Sequence, residues 1–162
     1  MNGIQYALRR IHHGENEAAK ELLHLAERHR TDHEVHHVAR DLASWSQQHV
    51  QLLGQHATHF GLDLDDEADT PYAITSQLRE TLAHAVGRRP EPGLLLLEDL
   101  RHLYLRTSEN SLAWEMLAQA AQAQHESELL ALTEECHPQT LRQIRWANTM
   151  IKTQTPQVLA SL

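Results

Sequence analysis

The stretch that decides the fold is residues 4–29, which read IQYALRRIHHGENEAAKELLHLAERH. Apolar residues recur here at alternating steps of four and three, the spacing that aligns them on one face of an α-helix. The pattern predicts a long amphipathic helix with a polar residue, Glu15, in its apolar seam. The seam positions are Ile4, Leu8, Ile11, Glu15, Ala18, Leu22, Leu25 and His29.

A second helix follows after a very short turn. Residues 31–34, Thr-Asp-His-Glu, form a capping-box pattern that predicts a helix start. Gly61 predicts the stop. The two helices are therefore expected to form an antiparallel hairpin over residues 3–60. Seam positions of the second helix are Val35, Val38, Leu42, Trp45, His49, Leu52, His56 and His59.

The remaining sequence predicts further helices. Residues 61–91 contain an acidic loop and a shorter helix from Pro71 to Val86. Residues 92–155 are expected to hold a helical pair and a C-terminal helix. Their predicted ranges are Leu94–Arg106, Leu112–Glu135 after a polar break at 107–111, and a last helix after Pro138 that ends near Lys152 with Leu141 inward. We predict an all-α fold, an antiparallel four-helix bundle with additional short helices, built as one domain over residues 1–162.

Composition supports a folded helical protein. The chain has 162 residues, of which 41% are apolar, enough for one domain with a proper core. No apolar run approaches the roughly 20 residues of a membrane-spanning helix. A formal charge of −8 and the lack of a basic stripe argue against nucleic-acid binding. The N-terminus lacks a signal-peptide pattern, so we expect a cytoplasmic protein. The single cysteine, Cys136, is expected to be a buried thiol without a catalytic role.

The polar residues of the seam are the strongest indication of function. The hairpin register places Glu15 level with about residue 47, within one turn of His49. Because a buried carboxylate is costly, Glu15 is expected to be paired, protonated or metal-bound. His12 lies on nearly the same face. Gly14, in mid-helix, costs about 1 kcal/mol relative to alanine, so it predicts a close approach by another group.

A metal site is one interpretation of this set. His12, Glu15 and His49 offer nitrogen and oxygen ligands that zinc, iron, manganese or copper accept. The helix at 112–135 has two possible phases. One turns Trp114, Leu117, Ala121, His125, Glu128 and Leu132 inward, so that His125 or Glu128 would complete the metal shell; the other turns Met116, Ala120, Ala123 and Leu130 inward. The alternative interpretation is a structural hydrogen-bonded Glu15–His49 pair without metal.

Three segments have the pattern Glu-x-x-His: Glu21–His24, Glu34–His37 and Glu134–His137. A helical bundle with Glu and His in its core resembles the ferritin-like di-metal carboxylate proteins, which use that pattern on two helices. The resemblance covers the bundle architecture over most of the chain. It implies a transition metal in the core and redox chemistry such as iron storage or oxygen chemistry.

The sequence leaves three functions open. The first is a metal-binding, ferritin-like bundle with redox or hydrolytic chemistry. The second is a non-enzymatic scaffold whose alanine-rich helix at 112–135 or C-terminal helix packs on a protein partner or a second copy, so that we expect a homo-oligomer, most simply a dimer. The third is a pH-responsive assembly, because ten of the fourteen histidines lie between His12 and His59 and titrate near neutral pH.

Overall fold

The computed structural model describes residues 2–64 and 91–162, and this part of the chain is all-α. Four long helices are present: α1 (Gly3–Arg28), α2 (His33–Ala57), α3 (Pro92–Ala123) and α4 (Ser127–Ala160). A short 3-10 helix, Thr58–Phe60, follows α2. The helix predicted at 71–86 lies outside the described residues.

The two N-terminal helices match the predicted ranges. Asn2 caps α1 by accepting from the backbone N–H of Gln5 at 2.8 Å. Asp32 caps α2 by accepting from the backbone N–H of Val35 at 3.2 Å. Gly61 ends the following 3-10 helix with a φ of 73°, a left-handed conformation that favours glycine. A helix therefore starts within residues 31–34 as predicted, with Asp32 rather than Thr31 as its cap, and the stop at Gly61 is confirmed.

Hydrogen bonds at both ends hold α1 beside α2. The Gln5 side chain donates to the carbonyl of Phe60 at 2.7 Å, which joins the start of α1 to the end of α2. His36 Nδ1 lies 2.9 Å from the carbonyl of Ala26, which joins the end of α1 to the start of α2. The α1 helix also packs on α3, and α4 packs on α3 and α2.

The predicted break at 107–111 is wrong, because α3 continues through it. The Thr107 hydroxyl donates to the carbonyl of Leu103 at 2.8 Å, one turn back in the same helix. The Asn110 side chain donates across to the carbonyl of Gly14 at 2.9 Å. Both polar side chains are thus satisfied inside a continuous helix rather than at a cap.

The real turn lies at residues 124–126, inside the helix that we predicted over 112–135. His125 adopts a positive φ of 59° there.

The second predicted break, at Pro138, and the predicted end at Lys152 are also wrong, because α4 runs through Pro138 and Pro156 to Ala160. Pro138 removes the helical donor to the carbonyl of Glu134, and because Glu134 is exposed, water can satisfy that carbonyl.

The buried apolar side chains form two clusters. The first cluster contains Ile4, Leu8 and Ile11 of α1 together with Trp114 of α3. The second contains Leu22 and Leu25 of α1 with residues nearer the start of α3, including Leu100 and Leu103. Along each helix the two clusters are separated by buried polar residues, which we call the polar layer: Glu15, Ser46, His49, Thr107, Asn110, Thr140 and Gln143.

Candidate functional site

Glu15 is the centre of the polar layer. Its side chain is fully buried, with 0% exposure. One carboxylate oxygen, Oε1, accepts hydrogen bonds from Trp114 Nε1 at 2.8 Å and from Thr140 Oγ1 at 3.1 Å. The other, Oε2, lies 3.3 Å from His49 Nδ1. Side chains of the other three helices therefore all reach the same carboxylate.

His49 is the charged partner of Glu15. Its Nε2 lies 2.7 Å from the amide oxygen Oε1 of Gln139. An amide oxygen only accepts, so Nε2 of His49 carries a proton. The His49 ring also packs edge-on against Trp114 with the ring centroids 5.6 Å apart.

The pKa of His49 decides whether its Nδ1 is protonated as well. Burial alone lowers that pKa, because a charged ring loses its hydration. Interactions with Cys136 and with the negative charge of Glu15 outweigh burial and raise the pKa of His49 from 6.5 to about 10. The Glu15–His49 pair is consequently a buried ion pair at neutral pH.

The geometry of the ion pair is not that of a well-aligned hydrogen bond. Glu15 Oε2 and His49 Nδ1 are close enough for a strong electrostatic attraction. Both atoms nevertheless lack a hydrogen-bond partner of good geometry. The attraction is therefore mainly coulombic, whereas Trp114 and Thr140 provide the directed bonds.

The polar layer contains further residues besides Glu15, and every one of the four helices contributes to it. Gln143 Nε2 donates to the carbonyl of Leu42 at 3.0 Å and to Ser46 Oγ at 2.9 Å, which ties α4 to α2. The Asn110 bond to Gly14 ties α3 to α1. Only glycine fits at position 14, because the Asn110 amide occupies the space that a Cβ would need. The predicted close approach at Gly14 is confirmed, and the approaching group is Asn110.

The predicted ligand set is brought together only in part. Glu15 and His49 meet as expected, and His12 is buried one turn before Glu15, with Nδ1 3.4 Å from the Asn16 amide. His125 and Glu128 do not point into the core: they are exposed, at the turn between α3 and α4 and in the first turn of α4. Among the residues that the structure describes, no group of three or more His, Cys, Asp or Glu side chains could hold a metal ion.

Sequence reasoning missed the partners that α3 and α4 supply. One of the two predicted phases of the helix at 112–135 turned Trp114 toward the core, and Trp114 is buried. The polar partners were missed because breaks were placed at 107–111 and 138. The signal was present, since the steps of three and four run unbroken through Leu100, Leu103, Thr107, Asn110, Trp114, Leu117 and Ala121.

Cys136 is buried as expected, at 1% exposure. Its interaction with His49 is one cause of the raised pKa of that histidine. The neighbouring His137 faces α3, with Nε2 2.8 Å from the Ser111 hydroxyl. Cys136 belongs to the first apolar cluster and lies away from solvent.

Most of the other histidines in the described part of the chain are partly or fully exposed. His33 and His37, at the start of α2, are exposed and stack with ring centroids 6.3 Å apart. His29 is buried and lies 2.7 Å from the carboxylate of Asp99, which also accepts from Arg28 at 3.1 Å. This second charged cluster fastens the end of α1 to α3.

No helix in the described part of the chain is both long and apolar enough to cross a membrane. Comparison with known proteins finds no match to this chain among family models, curated proteins or solved structures.

Proposed function

We propose that this chain is a non-enzymatic helical scaffold, an antiparallel four-helix bundle of ferritin-like architecture, in which the polar layer fixes how the helices pack. One observation carries the proposal. The buried carboxylate of Glu15 has a side-chain partner on each of the other three helices: His49, Trp114 and Thr140.

The physical argument concerns helix register. Apolar seams tolerate sliding, because one methyl-rich surface packs much like another. Sliding any helix by one turn, about 5.4 Å, would remove a partner from Glu15. Breaking a buried ion pair typically costs about 3–5 kcal/mol, so the displaced arrangement is disfavoured. The polar layer thereby selects one packing of the four helices.

The di-metal set that the ferritin-like resemblance implies does not fit these residues. Of the Glu-x-x-His segments, Glu34, His37 and Glu134 are exposed. Glu21 accepts from Arg106 at 3.5 Å. These side chains are spread over the surface and the helix ends rather than gathered in the core, so they do not form a di-metal ligand set.

Binding of a single transition-metal ion in the core is the second candidate. It is favoured by the 3.3 Å that separates Glu15 Oε2 and His49 Nδ1, two buried atoms without a well-aligned hydrogen bond. Two ligands of one tetrahedral ion lie about 3.4 Å apart when their bonds are about 2.0–2.1 Å long. Zinc, iron, manganese or copper would have to displace the Nδ1 proton of His49.

Elemental analysis of the wild-type chain separates the two candidates. The protein is purified untagged and without added metal, then incubated with each of the four ions and dialysed. The scaffold proposal expects far less than one ion per chain and a melting temperature that a chelator leaves unchanged. Near-stoichiometric metal that is lost in a His49→Gln variant would overturn it. Should that variant fail to fold, wild-type metal content and the effect of the chelator decide by themselves.

A double-mutant cycle tests the structural role directly. Glu15→Gln, His49→Gln and the double variant are compared by chemical denaturation. The scaffold proposal expects a coupling energy of at least about 1 kcal/mol. The matched control is the exposed pair Glu27 and Arg30, 3.2 Å apart, for which coupling is expected to be below about 0.5 kcal/mol. Equal coupling at both pairs would contradict a special role for the core pair.

A further inference from the structure

The outer face of α3 and α4 carries large apolar side chains that residues 2–64 and 91–162 leave exposed. Leu112 is 67% exposed, Leu105 51%, Met116 47% and Leu141 44%. Leu141, which the sequence predicted inward, is thus on the surface, because α4 turns its Cys136 and Gln143 side to the core. We call this surface the α3–α4 outer face.

An open groove of about 360 Å³ runs along this face between the two helices. Pro138 and Leu141 line it on α4, beside Glu134. On α3 the groove is lined by Ala118 and, with a second carboxylate, by Glu115. Two carboxylates, those of Glu115 and Glu134, therefore lie beside the apolar lining of the groove.

A stripe of side chains along α4 changes from acidic at one end to basic at the other. Glu134, Pro138, Leu141 and Arg145 follow steps of four, three and four, so they lie within about 60° of arc on the helix surface. Glu134 and Arg145 are both exposed. Among residues 2–64 and 91–162, neither side chain forms an ion pair.

The order of these side chains is self-complementary. Glu134 and Arg145 are equally distant from the point between Gln139 and Thr140, and so are Pro138 and Leu141. A twofold axis through that point, perpendicular to α4 and lying in the face, sets α4 against α4 of a second copy. Glu134 then meets Arg145 of the second copy, and Pro138 meets its Leu141.

The same axis also suits α3. The hydrogen bond between Ser111 and His137 places residue 111 level with residue 137. Since α3 and α4 run in opposite directions, the axis crosses α3 between residues 108 and 109. Leu105 and Leu112 are equally distant from that point, so each leucine meets the other leucine of the second copy.

We propose that the α3–α4 outer face is the interface of a twofold-symmetric homodimer, with the second copy of this chain as its occupant. Leu105, Leu112, Pro138 and Leu141 form its apolar centre. Two reciprocal ion pairs, between Glu134 of one copy and Arg145 of the other, set its orientation. The proposal goes beyond the structural role of Glu15 and does not depend on it.

Charge reversal tests this interface by analytical ultracentrifugation of the full chain. We expect the wild type to sediment at twice the chain mass of 18.5 kDa. Glu134→Arg alone and Arg145→Glu alone each create two like-charge contacts across the axis, so each is expected to raise the dimer dissociation constant by about tenfold or more. Arg40→Glu, an exposed charge reversal on α2, is the matched control and should leave the dissociation constant unchanged.

Mixing the two single variants is the decisive arm. The arginine introduced by Glu134→Arg in one chain then meets the glutamate introduced by Arg145→Glu in the other. The unchanged Arg145 and Glu134 meet at the second contact, so a 1:1 mixture is expected to dimerise as the wild type does. A monomeric wild type would overturn the proposal. So would a wild-type dimer that Glu134→Arg leaves intact, or variants that mixing does not rescue. Circular dichroism of each variant confirms that these surface changes leave the helices folded.

Discussion

The side-chain oxygen of Asn110 occupies the space that a Cβ on Gly14 would need. The Asn110 amide also donates to the carbonyl of Gly14 at 2.9 Å, and Asn110 itself is only 1% exposed. The contact between α1 and α3 therefore depends on the absence of a side chain at one position.

Gly14→Ala is predicted to destabilise the protein despite the better helix propensity of alanine. The methyl group would push Asn110 away and break its buried hydrogen bond, at a cost of about 2–4 kcal/mol in the free energy of unfolding. Chemical denaturation measures the loss. Gly3→Ala is the control, because nothing lies within 4 Å of a Cβ there. A Gly14→Ala variant as stable as the wild type would refute the steric argument.

Stability is predicted to fall as pH rises from about 7 to 10. Burial lowers the pKa of His49, but Cys136 and Glu15 raise it to about 10, above its unfolded value of 6.5. The stabilisation by the proton on His49 is therefore fully present below pH 6.5 and is lost as pH rises through about 10, by at most about 1.4 kcal/mol per pH unit.

Denaturation curves of the wild type and of His49→Gln, measured across this range, test the pH effect. The difference in unfolding free energy between them is expected to shrink as the pH increases. The subtraction removes most contributions of groups that titrate in both proteins. A difference that stays constant from pH 7 to 10 would mean that His49 carries no extra proton in the folded protein.

The thiol of Cys136 is predicted to react slowly with a thiol reagent in the native protein. With 1% exposure and contacts inside the polar layer, it becomes accessible only when the helices open. We expect its reaction to be at least about 100-fold slower than in denaturant. Absorbance of the released chromophore measures both rates. Comparable rates in the two conditions would show that this part of the core opens readily.

Asp99→Asn is predicted to loosen the junction between α1 and α3. The Asp99 carboxylate accepts from Arg28 at 3.1 Å and lies 2.7 Å from His29 Nε2, and its side chain is only 15% exposed. Loss of its charge is expected to cost about 1–2 kcal/mol of unfolding free energy. Glu98→Gln, at the exposed neighbouring position, should change stability by less than about 0.5 kcal/mol. Equal effects at the two positions would contradict this assignment.

The N-terminal half of the described fold could be predicted because its signals are local. The seam of α1, the helix start within residues 31–34 and the Gly61 stop each depend on neighbouring residues alone. The breaks predicted at 107–111 and at Pro138 failed because distant contacts outweighed local preference. Asn110 looks like a cap residue in sequence, yet its amide is used by Gly14, 96 residues away. The actual turn at His125 has no glycine or proline to mark it.

The residues of the candidate site also fall into a group that local sequence signals predicted and a group that they did not. The meeting of Glu15 and His49 followed from the register of one short hairpin. Trp114 and Thr140 could not be assigned to Glu15, since their level depends on where the α3–α4 turn lies. Moving that turn from beyond residue 135 to residues 124–126 reverses the direction of the chain between them. The assignment of His125 and Glu128 as inward ligands failed for this reason.

The contacts of Glu15 also bear on how the chain folds. Its two directed partners are 99 and 125 residues away in sequence. Loops of that length close slowly, and helical proteins usually fold fast because most of their contacts are local. A half-assembled hairpin of α1 and α2 would hold a carboxylate that lacks the donors from α3 and α4. Such an intermediate gains little stability, so we expect all four helices to assemble cooperatively. The Glu15 carboxylate receives its hydrogen-bond donors only in a late step of folding, when α3 and α4 pack on the hairpin.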